Sequence, residues 1–267
     1  MEPAVELKCV RLSSEGYEIL KGISVGFPKG RSTIIMGPSG CGKSTMLKAA
    51  AGIMPPDSGS VLLDGADLYQ MSDRDLTQAR KAMGFVFQDG ALWENRTAFQ
   101  NVSLPLEYHG NLSERQVEER VARLLNRVGL GEQMGLRPAQ LSAGERKVVS
   151  FCRALIANPR TVFMDEPTLS VDRETGAVLM DMIRELKAAG CTLITVTHDP
   201  KLTSWLADYL VIMRHGQLVE CGEFTTVRSS RNPVTQGILA DVMEQAAAYD
   251  AELLDLLSER PWSIEDG

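Results

Sequence analysis

The chain has 267 residues, 44% of them hydrophobic, and a formal net charge of −7 at pH 7. This length and composition allow one large α/β domain or two small ones with a buried core. No apolar stretch approaches the ~20 residues that span a bilayer, and the first residues lack the basic and apolar regions of a signal peptide. We therefore expect a soluble cytosolic protein.

The negative charge is concentrated near the C-terminus. Residues 241–267 contain eight acidic residues and one arginine, which accounts for the whole net charge and leaves the remaining body neutral. Neither part has a basic block, so we expect no nucleic-acid partner. The five cysteines are scattered without metal-ligand spacing, which predicts reduced thiols, with neither disulfides nor zinc.

The first predicted elements are strands over residues 5–12 and 19–27, which we expect to form an antiparallel edge. An apolar run over 33–36 then leads into a glycine-rich loop and a helix-forming stretch over 46–51. Strand, glycine loop and helix in this order are the context of a phosphate-binding loop. The loop consists of Gly37, Pro38, Ser39, Gly40, Cys41, Gly42, Lys43, Ser44 and Thr45.

The residue types of this loop predict a site for a nucleoside triphosphate and its metal. Its glycines let successive backbone N–H groups face an anion, while Lys43 reaches the terminal phosphates and the hydroxyl of Ser44 ligates Mg²⁺. Cys41 lies among these groups, and we expect the backbone dipoles and Lys43 to lower the pKa of its thiol.

A helical block interrupts the α/β pattern after the next strands. A strand over 60–63, a short helix near 73–82 and a strand over 84–87 lead directly to Gln88. Residues 89–158 then favour helices, one of them opened by Ser113 with Gln116 in capping-box register. A further predicted helix begins within 141–145 and runs to about residue 158.

The start of that last helix predicts a second anion site. Ser142 and the backbone N–H groups of Gly144 and Glu145 would lie at a helix N-terminus, where unpaired donors and the helix dipole attract anions. This segment is too far along the chain to share the phosphate loop of the same subunit easily. A second copy of the chain could supply it instead.

The α/β pattern then resumes and predicts a mainly parallel sheet with helices on both faces. A buried strand over 161–164 ends in Asp165 and Glu166, and a strand over 191–198 ends in His198. Because ligands bind at the carboxyl ends of such strands, Asp165 is predicted to hold Mg²⁺ and Glu166 to polarise the attacking water. His198 is predicted to contact the terminal phosphate or to hold that water.

The combination of these motifs resembles the nucleotide-binding subunits of ABC transporters. The resemblance covers residues 5–225 and rests on six features: the phosphate loop, Gln88, the 141–145 signature, the strand ending in Glu166, the run 169–172 and His198. It implies an α/β P-loop NTPase fold of the ABC ATPase type, with a RecA-like core, an antiparallel β edge and an inserted helical subdomain. ATP and Mg²⁺ are the implied cofactors, and ATP hydrolysis is the implied activity.

The resemblance also implies a division of the chain and a set of partners. Residues 1–88 and 159–230 would form the nucleotide-binding core and 89–158 the helical subdomain with the signature. Residues 231–267 lie beyond the family core, and their own sequence predicts an acidic helical extension. Two copies would sandwich ATP head to tail on the cytoplasmic face of the inner membrane, bound to an integral membrane permease. Gln88 would sense Mg²⁺, and Asp172 would cross the dimer seam.

Two positions depart from the family pattern. The usual signature is Leu-Ser-Gly-Gly-Gln, whereas Ala143 and Glu145 here place a methyl group and a carboxylate near the phosphate, so slow hydrolysis is expected. Ser14 occupies the position where many relatives have a base-stacking aromatic residue. Tyr17 is the predicted substitute, with plain packing as its alternative.

A narrower resemblance follows Gln88. Residues 87–93 and 101–109 resemble the ATPases of Mla/Mce-type phospholipid transporters, which implies MCE-domain and STAS-domain partners besides the permease. The alternative is the ATPase of an importer for amino acids or another small solute. A soluble ABC ATPase that acts in DNA repair or translation is the remote alternative, since the chain has neither paired cassettes nor a basic surface.

The acidic extension has an apolar periodicity of its own. Five apolar residues at helical spacing predict a stripe opposite the carboxylates, namely Val242, Ala246, Tyr249, Leu253 and Leu257. We expect the stripe to be covered either by its own domain or by a second copy or another subunit.

Overall fold

The computed structural model describes residues 2–109, 112–169 and 171–241. The strands are β1 (Pro3–Ser14), β2 (Tyr17–Pro28), β3 (Ser32–Met36), β4 (Ser58–Leu63), β5 (Ala66–Asp67), β6 (Met83–Val86), β7 (Thr161–Asp165), β8 (Thr192–Val196), β9 (Tyr209–Arg214) and β10 (Gln217–Glu223). The helices are α1 (Lys43–Ala50), α2 (Asp73–Lys81), α3 (Ala98–His109), α4 (Glu114–Arg127), α5 (Ala143–Leu155), α6 (Arg173–Ala188), α7 (Pro200–Leu206) and α8 (Phe224–Arg228).

A six-stranded sheet forms the centre of the molecule, with the order β10-β9-β3-β8-β7-β6. All neighbouring strands are parallel except the hairpin β9–β10, as the sequence predicts. The register pairs Val196 with both Ile35 and Asp165. The carboxyl ends of β3, β7 and β8 therefore lie at the same edge, and this alignment gathers the polar residues that follow them.

The antiparallel edge is a separate four-stranded sheet with the order β2-β1-β4-β5. Its strands β1 and β2 pair directly and extend one or two residues at each end beyond the predicted 5–12 and 19–27. Bulges interrupt their register, one of them near Cys9, which adopts a φ of 50°. β2 borders the phosphate loop, because a Cβ added to Gly42 would lie 3.2 Å from the carbonyl oxygen of Ile19.

The central sheet separates two hydrophobic cores. Successive residues of one strand point to opposite faces, so Ile34 packs with the helices α3 to α6 while Ile35 packs with α1 and the antiparallel sheet. In the same way, Met164 of β7 packs in the core with Ile34, and Phe163 packs in the core with Ile35. This burial on both faces explains why the strands read as continuous apolar runs.

The helical block lies between β6 and β7, which are neighbours in the sheet. Ser113 caps α4 through the predicted capping box with Gln116. The apolar face of α4 is buried at Val117, Val121 and Leu125. The helix α5 ends at Leu155, three residues before the predicted end.

The C-terminal extension is helical over 233–241 and packs on its own domain. The hydroxyl groups of Ser230 and Thr235 donate hydrogen bonds to the Glu220 carboxylate at 2.7 and 2.6 Å. Thr235 and Ile238 are buried. The five residues of the predicted apolar stripe lie outside the described residues. Across the parts of the chain that are described, no helix combines the length and apolar character needed to cross a membrane.

Candidate nucleotide site

The phosphate loop connects the end of β3 to the start of α1. Gly42 is the N-cap of α1, with a φ of 101° and no side-chain cap on the helix, so the first backbone N–H groups face outward. Gly37 lies against the neighbouring strand β9, because a Cβ added there would come within 2.2 Å of the Met213 carbonyl oxygen. The loop therefore presents backbone donors at a helix N-terminus, which fits a phosphate group.

The side chains of Lys43 and Ser44, the first two residues of α1, both form hydrogen bonds at the phosphate loop. The ammonium of Lys43 is buried and donates hydrogen bonds to the carbonyl oxygens of Gly37 at 2.7 Å and Pro38 at 3.0 Å. The hydroxyl of Ser44 donates to Oδ1 of Asp165 at 2.8 Å. A hydroxyl and a carboxylate in contact are the hard oxygen ligands that Mg²⁺ prefers.

Asp165 is the buried carboxylate of this pair. Burial raises the pKa of its carboxyl, while the hydrogen bond from Ser44 and the charges of Lys48, Lys147 and Lys43 act in the opposite direction. The carboxylate is therefore desolvated but surrounded by donors and positive charge, which suits a residue that neutralises a bound cation.

Glu166 follows Asp165 and adopts a left-handed backbone conformation with a φ of 46°. Its backbone N–H donates to the Val196 carbonyl oxygen at 2.9 Å, which fixes the turn beside the end of β8. Burial raises the pKa of its carboxyl above the ordinary value, and the hydrogen bond from the His198 backbone N–H lowers it in part. Glu166 is thus a stronger base than a solvated glutamate.

His198 contacts this carboxylate at two points. Its backbone N–H donates to Oε2 of Glu166 at 3.3 Å, and its Nε2 lies 3.7 Å from Oε1. Burial and the nearby charge of Lys43 lower the pKa of the imidazole, so the ring is neutral at physiological pH. The sequence predicted both residues at this edge, and the structure brings them together.

Cys41 differs from the expectation for its pKa. The thiol is buried inside the loop, and burial raises its pKa more than Lys43 and the backbone N–H groups lower it. Desolvation of a thiolate outweighs the helix-terminus effect here, so Cys41 is not an activated thiol. All five cysteines of the chain are free.

The signature residues form a second group at the N-termini of α5 and α6. Ser142 caps α5 by accepting a hydrogen bond from the Glu145 N–H at 3.1 Å, and the Glu145 carboxylate accepts one from the Ser142 N–H at 2.7 Å. The Glu145 N–H, which the sequence analysis assigned to an anion, is therefore already bonded within the chain. The Glu145 carboxylate is held in a capping box.

Asp172 lies beside the signature residues of its own chain. It is the N-cap of α6 and accepts hydrogen bonds from the N–H and hydroxyl of Thr175 at 2.9 and 2.7 Å, which lower the pKa of its carboxyl. A Cβ added to Gly144 would lie 3.0 Å from Oδ2 of Asp172. Asp172 therefore packs directly against Gly144, which is buried.

Tyr17 and Gln88 lie on either side of the phosphate loop in sequence. Tyr17 begins β2, is 78% exposed, and shares a strand face with Ile19, whose carbonyl borders Gly42. Gln88 is exposed two residues after β6, and its carbonyl oxygen accepts a hydrogen bond from Lys147. Lys147 was missed by the sequence analysis, although a lysine on the buried stripe of α5, between Gly144 and Phe151, is an observable signal.

The fold and these two groups of residues define an ABC-type ATPase domain that binds ATP. The chain belongs to the ABC transporter family, whose pattern matches residues 20–169. It is 32% identical to the solved structure of a dimeric ATP-binding cassette in a post-hydrolysis state bound to ADP and Pi. That match has a TM-score of 0.75 and covers 82% of this chain and 98% of the other.

Curated relatives carry the name methionine import ATP-binding protein MetN. The protein from Haemophilus influenzae is 34% identical over 86% of this chain, and one from Rhodopseudomonas palustris is 35% identical over 89% of it. This chain spans 66% and 64% of the lengths of these two relatives. Their names refer to amino-acid import and do not refer to lipid transport.

Proposed function

We propose that this chain hydrolyses ATP as the energy-supplying subunit of an ABC transporter. The observation that carries the proposal is the shared edge of β3, β7 and β8, where the Ser44–Asp165 hydrogen bond and the Glu166–His198 contacts meet the phosphate loop. Each component of phosphoryl transfer to water has a candidate residue at that edge.

The side chains suggest a division of roles. The loop from Gly37 to Thr45 would bind the phosphates through its N–H groups, and Lys43 would exchange its two carbonyl partners for phosphate oxygens. Ser44, Asp165 and Gln88 would hold Mg²⁺. A bound Mg²⁺ would neutralise charge on the phosphates.

Glu166 is the proposed base that removes a proton from the attacking water. Burial raises the pKa of its carboxyl, which makes the carboxylate a stronger proton acceptor, as general-base catalysis needs. His198 would orient the Glu166 carboxylate and contact the terminal phosphate.

A second copy of the chain would complete each site. Ser142 and the first backbone N–H groups of α5 would face the partner's phosphate loop, and Asp172 would lie at the seam. Tyr17 would stack on the adenine from the exposed start of β2. The dimeric assembly of the related solved cassette supports this arrangement.

The helical block would connect the ATPase to the membrane. We keep residues 1–88 and 159–230 as the proposed core, 89–158 as the proposed helical subdomain and 231–267 as the proposed extension. Trp93 and Tyr108 are 59% and 80% exposed on the helical block. Both residues line a groove that would receive an integral membrane permease. This contact would place the chain peripherally on the cytoplasmic face of the inner membrane.

The proposed cargo is methionine or another amino acid taken up by an importer, because the MetN relatives support this alternative. Phospholipid transport with MCE-domain and STAS-domain partners, which the sequence analysis placed first, now ranks second. It depends on residues 87–93 and 101–109 alone. In the structure Asn101 fixes this segment, accepting from the Trp93 N–H at 2.8 Å and donating to the Trp93 carbonyl at 3.1 Å.

Reconstitution separates the two cargoes. The ATPase and the membrane proteins that co-purify with it in mild detergent are placed in liposomes, and uptake of labelled methionine and transfer of labelled phospholipid are measured with and without ATP. The Glu166→Gln variant is the matched control for hydrolysis. ATP-dependent uptake of methionine alone supports the importer, and movement of lipid alone supports the second candidate. Failure to co-purify any integral membrane protein would contradict the transporter proposal.

A further inference from the structure

Lys147 is a buried cation that none of the roles above includes. It lies on the inner face of α5, is 5% exposed, and donates a hydrogen bond to the carbonyl oxygen of Gln88. Burying an ammonium group is costly unless its charge is used. Lys147 lies on α5, the helix whose N-cap is the signature residue Ser142.

A second cation of the same helix holds the following residues. The guanidinium of Arg153 donates to the carbonyl oxygens of Ala91 at 2.8 Å and Gly90 at 2.9 Å. Gly90 has a φ of 76° and packs close to α5, because a Cβ added there would lie 3.5 Å from the Arg146 carbonyl oxygen. Lys147 and Arg153 together fix residues 88–91 to α5.

The charge of Lys147 also reaches the proposed reaction centre. Burial lowers the pKa of its ammonium, and the carboxylates of Asp89, Asp165 and Glu166 counteract this effect. In return, Lys147 is one of the cations that lower the pKa of Asp165. The positive charge of Lys147 therefore favours the ionised forms of these carboxylates, and its hydrogen bond holds the loop that carries Gln88.

We propose that Lys147 is a positioning residue that fixes Gln88 and the loop that carries it, residues 88–91, in one position relative to the signature helix. This inference rests on the proposed ATPase function. Lys147 acts through its hydrogen bond to the Gln88 carbonyl, so that a displacement of α5 also moves Gln88, one of the residues proposed to hold Mg²⁺.

The test compares Lys147→Met, Lys147→Arg and the control Lys187→Met with the wild type. Lys187 is a matched lysine because its ammonium also donates to a backbone carbonyl, that of Leu206 at 2.7 Å, and it pairs with Asp208 between α6 and α7. The measurements are kcat and KM for ATP, the midpoint of thermal unfolding, and amide hydrogen exchange of residues 88–91.

We expect Lys147→Met to lower kcat about tenfold with KM for ATP changed by less than about threefold, because an aligning interaction is lost rather than substrate binding. Exchange of residues 88–91 should accelerate, while the unfolding midpoint should not fall, since a buried charge is removed. Lys147→Arg should recover most of kcat. Lys187→Met should lower the unfolding midpoint and leave kcat unchanged.

A Lys147→Met chain with wild-type kcat and unchanged exchange at 88–91 would overturn the inference. So would a loss of kcat that accompanies a lowered unfolding midpoint and is not recovered by arginine, because that pattern indicates a structural role. A wild-type chain that does not hydrolyse ATP would instead contradict the proposed function. Hydrogen exchange would still decide whether Lys147 holds residues 88–91.

Discussion

Replacement of Glu166 by glutamine separates catalysis from nucleotide binding. The amide keeps the shape of the side chain and one oxygen that can accept the 3.3 Å hydrogen bond from the His198 N–H. It cannot accept a proton from water. The contacts of Lys43 and Ser44 with the phosphate loop and Asp165 do not involve Glu166, so ATP affinity should remain within a few-fold of the wild type.

The size of the effect follows from the role of a general base. Such a base contributes roughly 10²–10⁴-fold to the rate, which corresponds to about 3–5 kcal/mol of activation free energy. The free energy of unfolding should not fall along with the rate. A carboxyl group with a raised pKa in the folded chain destabilises the fold as pH rises through that pKa, so the neutral glutamine should be as stable as the wild type or more stable at pH 7.

The assay measures single-turnover hydrolysis of ATP with Mg²⁺ and, separately, equilibrium ATP binding. We expect the rate of hydrolysis to fall by roughly two to four orders of magnitude, while the dissociation constant for ATP stays nearly unchanged. Wild-type turnover by Glu166→Gln would refute the assignment and direct attention to His198. A large loss of ATP affinity would mean that Glu166 is needed for binding.

Four further predictions use the same structural features. The acid limb of the pH–rate profile should have a midpoint above the ordinary glutamate range, because burial raises the pKa of Glu166, and a midpoint at or below that range would contradict a buried base. Maleimide should label Cys41 slowly at neutral pH and still more slowly with ATP and Mg²⁺, whereas rapid labelling that nucleotide does not affect would contradict burial in a phosphate loop. Deletion of residues 242–267 should preserve ATP binding and weaken assembly of the complex, while Thr235→Val, which removes a hydrogen bond to Glu220, should cost about 1 kcal/mol of stability without changing kcat. Unfolding of the truncated monomer would show that the tail stabilises its own domain.

The fold could be predicted from the sequence because its central strands are buried on both faces. Apolar runs such as that of β3 are stable only in a sheet that is covered on both faces. The cap of α4 could also be predicted, since Ser113 and Gln116 form a local pattern. The bulges near Cys9 depend on pairing with β2 and β4, which no local pattern specifies.

The site shows the same division between local and distant effects. Ser44 and Asp165 are 121 positions apart, and their meeting follows from two motifs and the strand order of a parallel sheet. Glu145 was interpreted as a departure that faces phosphate, although its spacing from Ser142 is also that of a capping box, which the structure contains. The pKa of Cys41 depends on burial by residues distant in sequence, so inference from the loop alone gave the wrong direction.

Mixing two inactive variants tests most directly whether two copies of this chain share each ATP site. Lys43→Ala disables the phosphate loop and Ser142→Arg disables the signature, so neither homodimer has a complete site. A mixed dimer would have one complete site, formed by the loop of one copy and the signature of the other. We expect the separate variants to be inactive and an equal mixture to recover up to about a quarter of the wild-type ATPase rate, as random pairing predicts. No recovery on mixing, with both variants folded and pairing, would contradict a shared site.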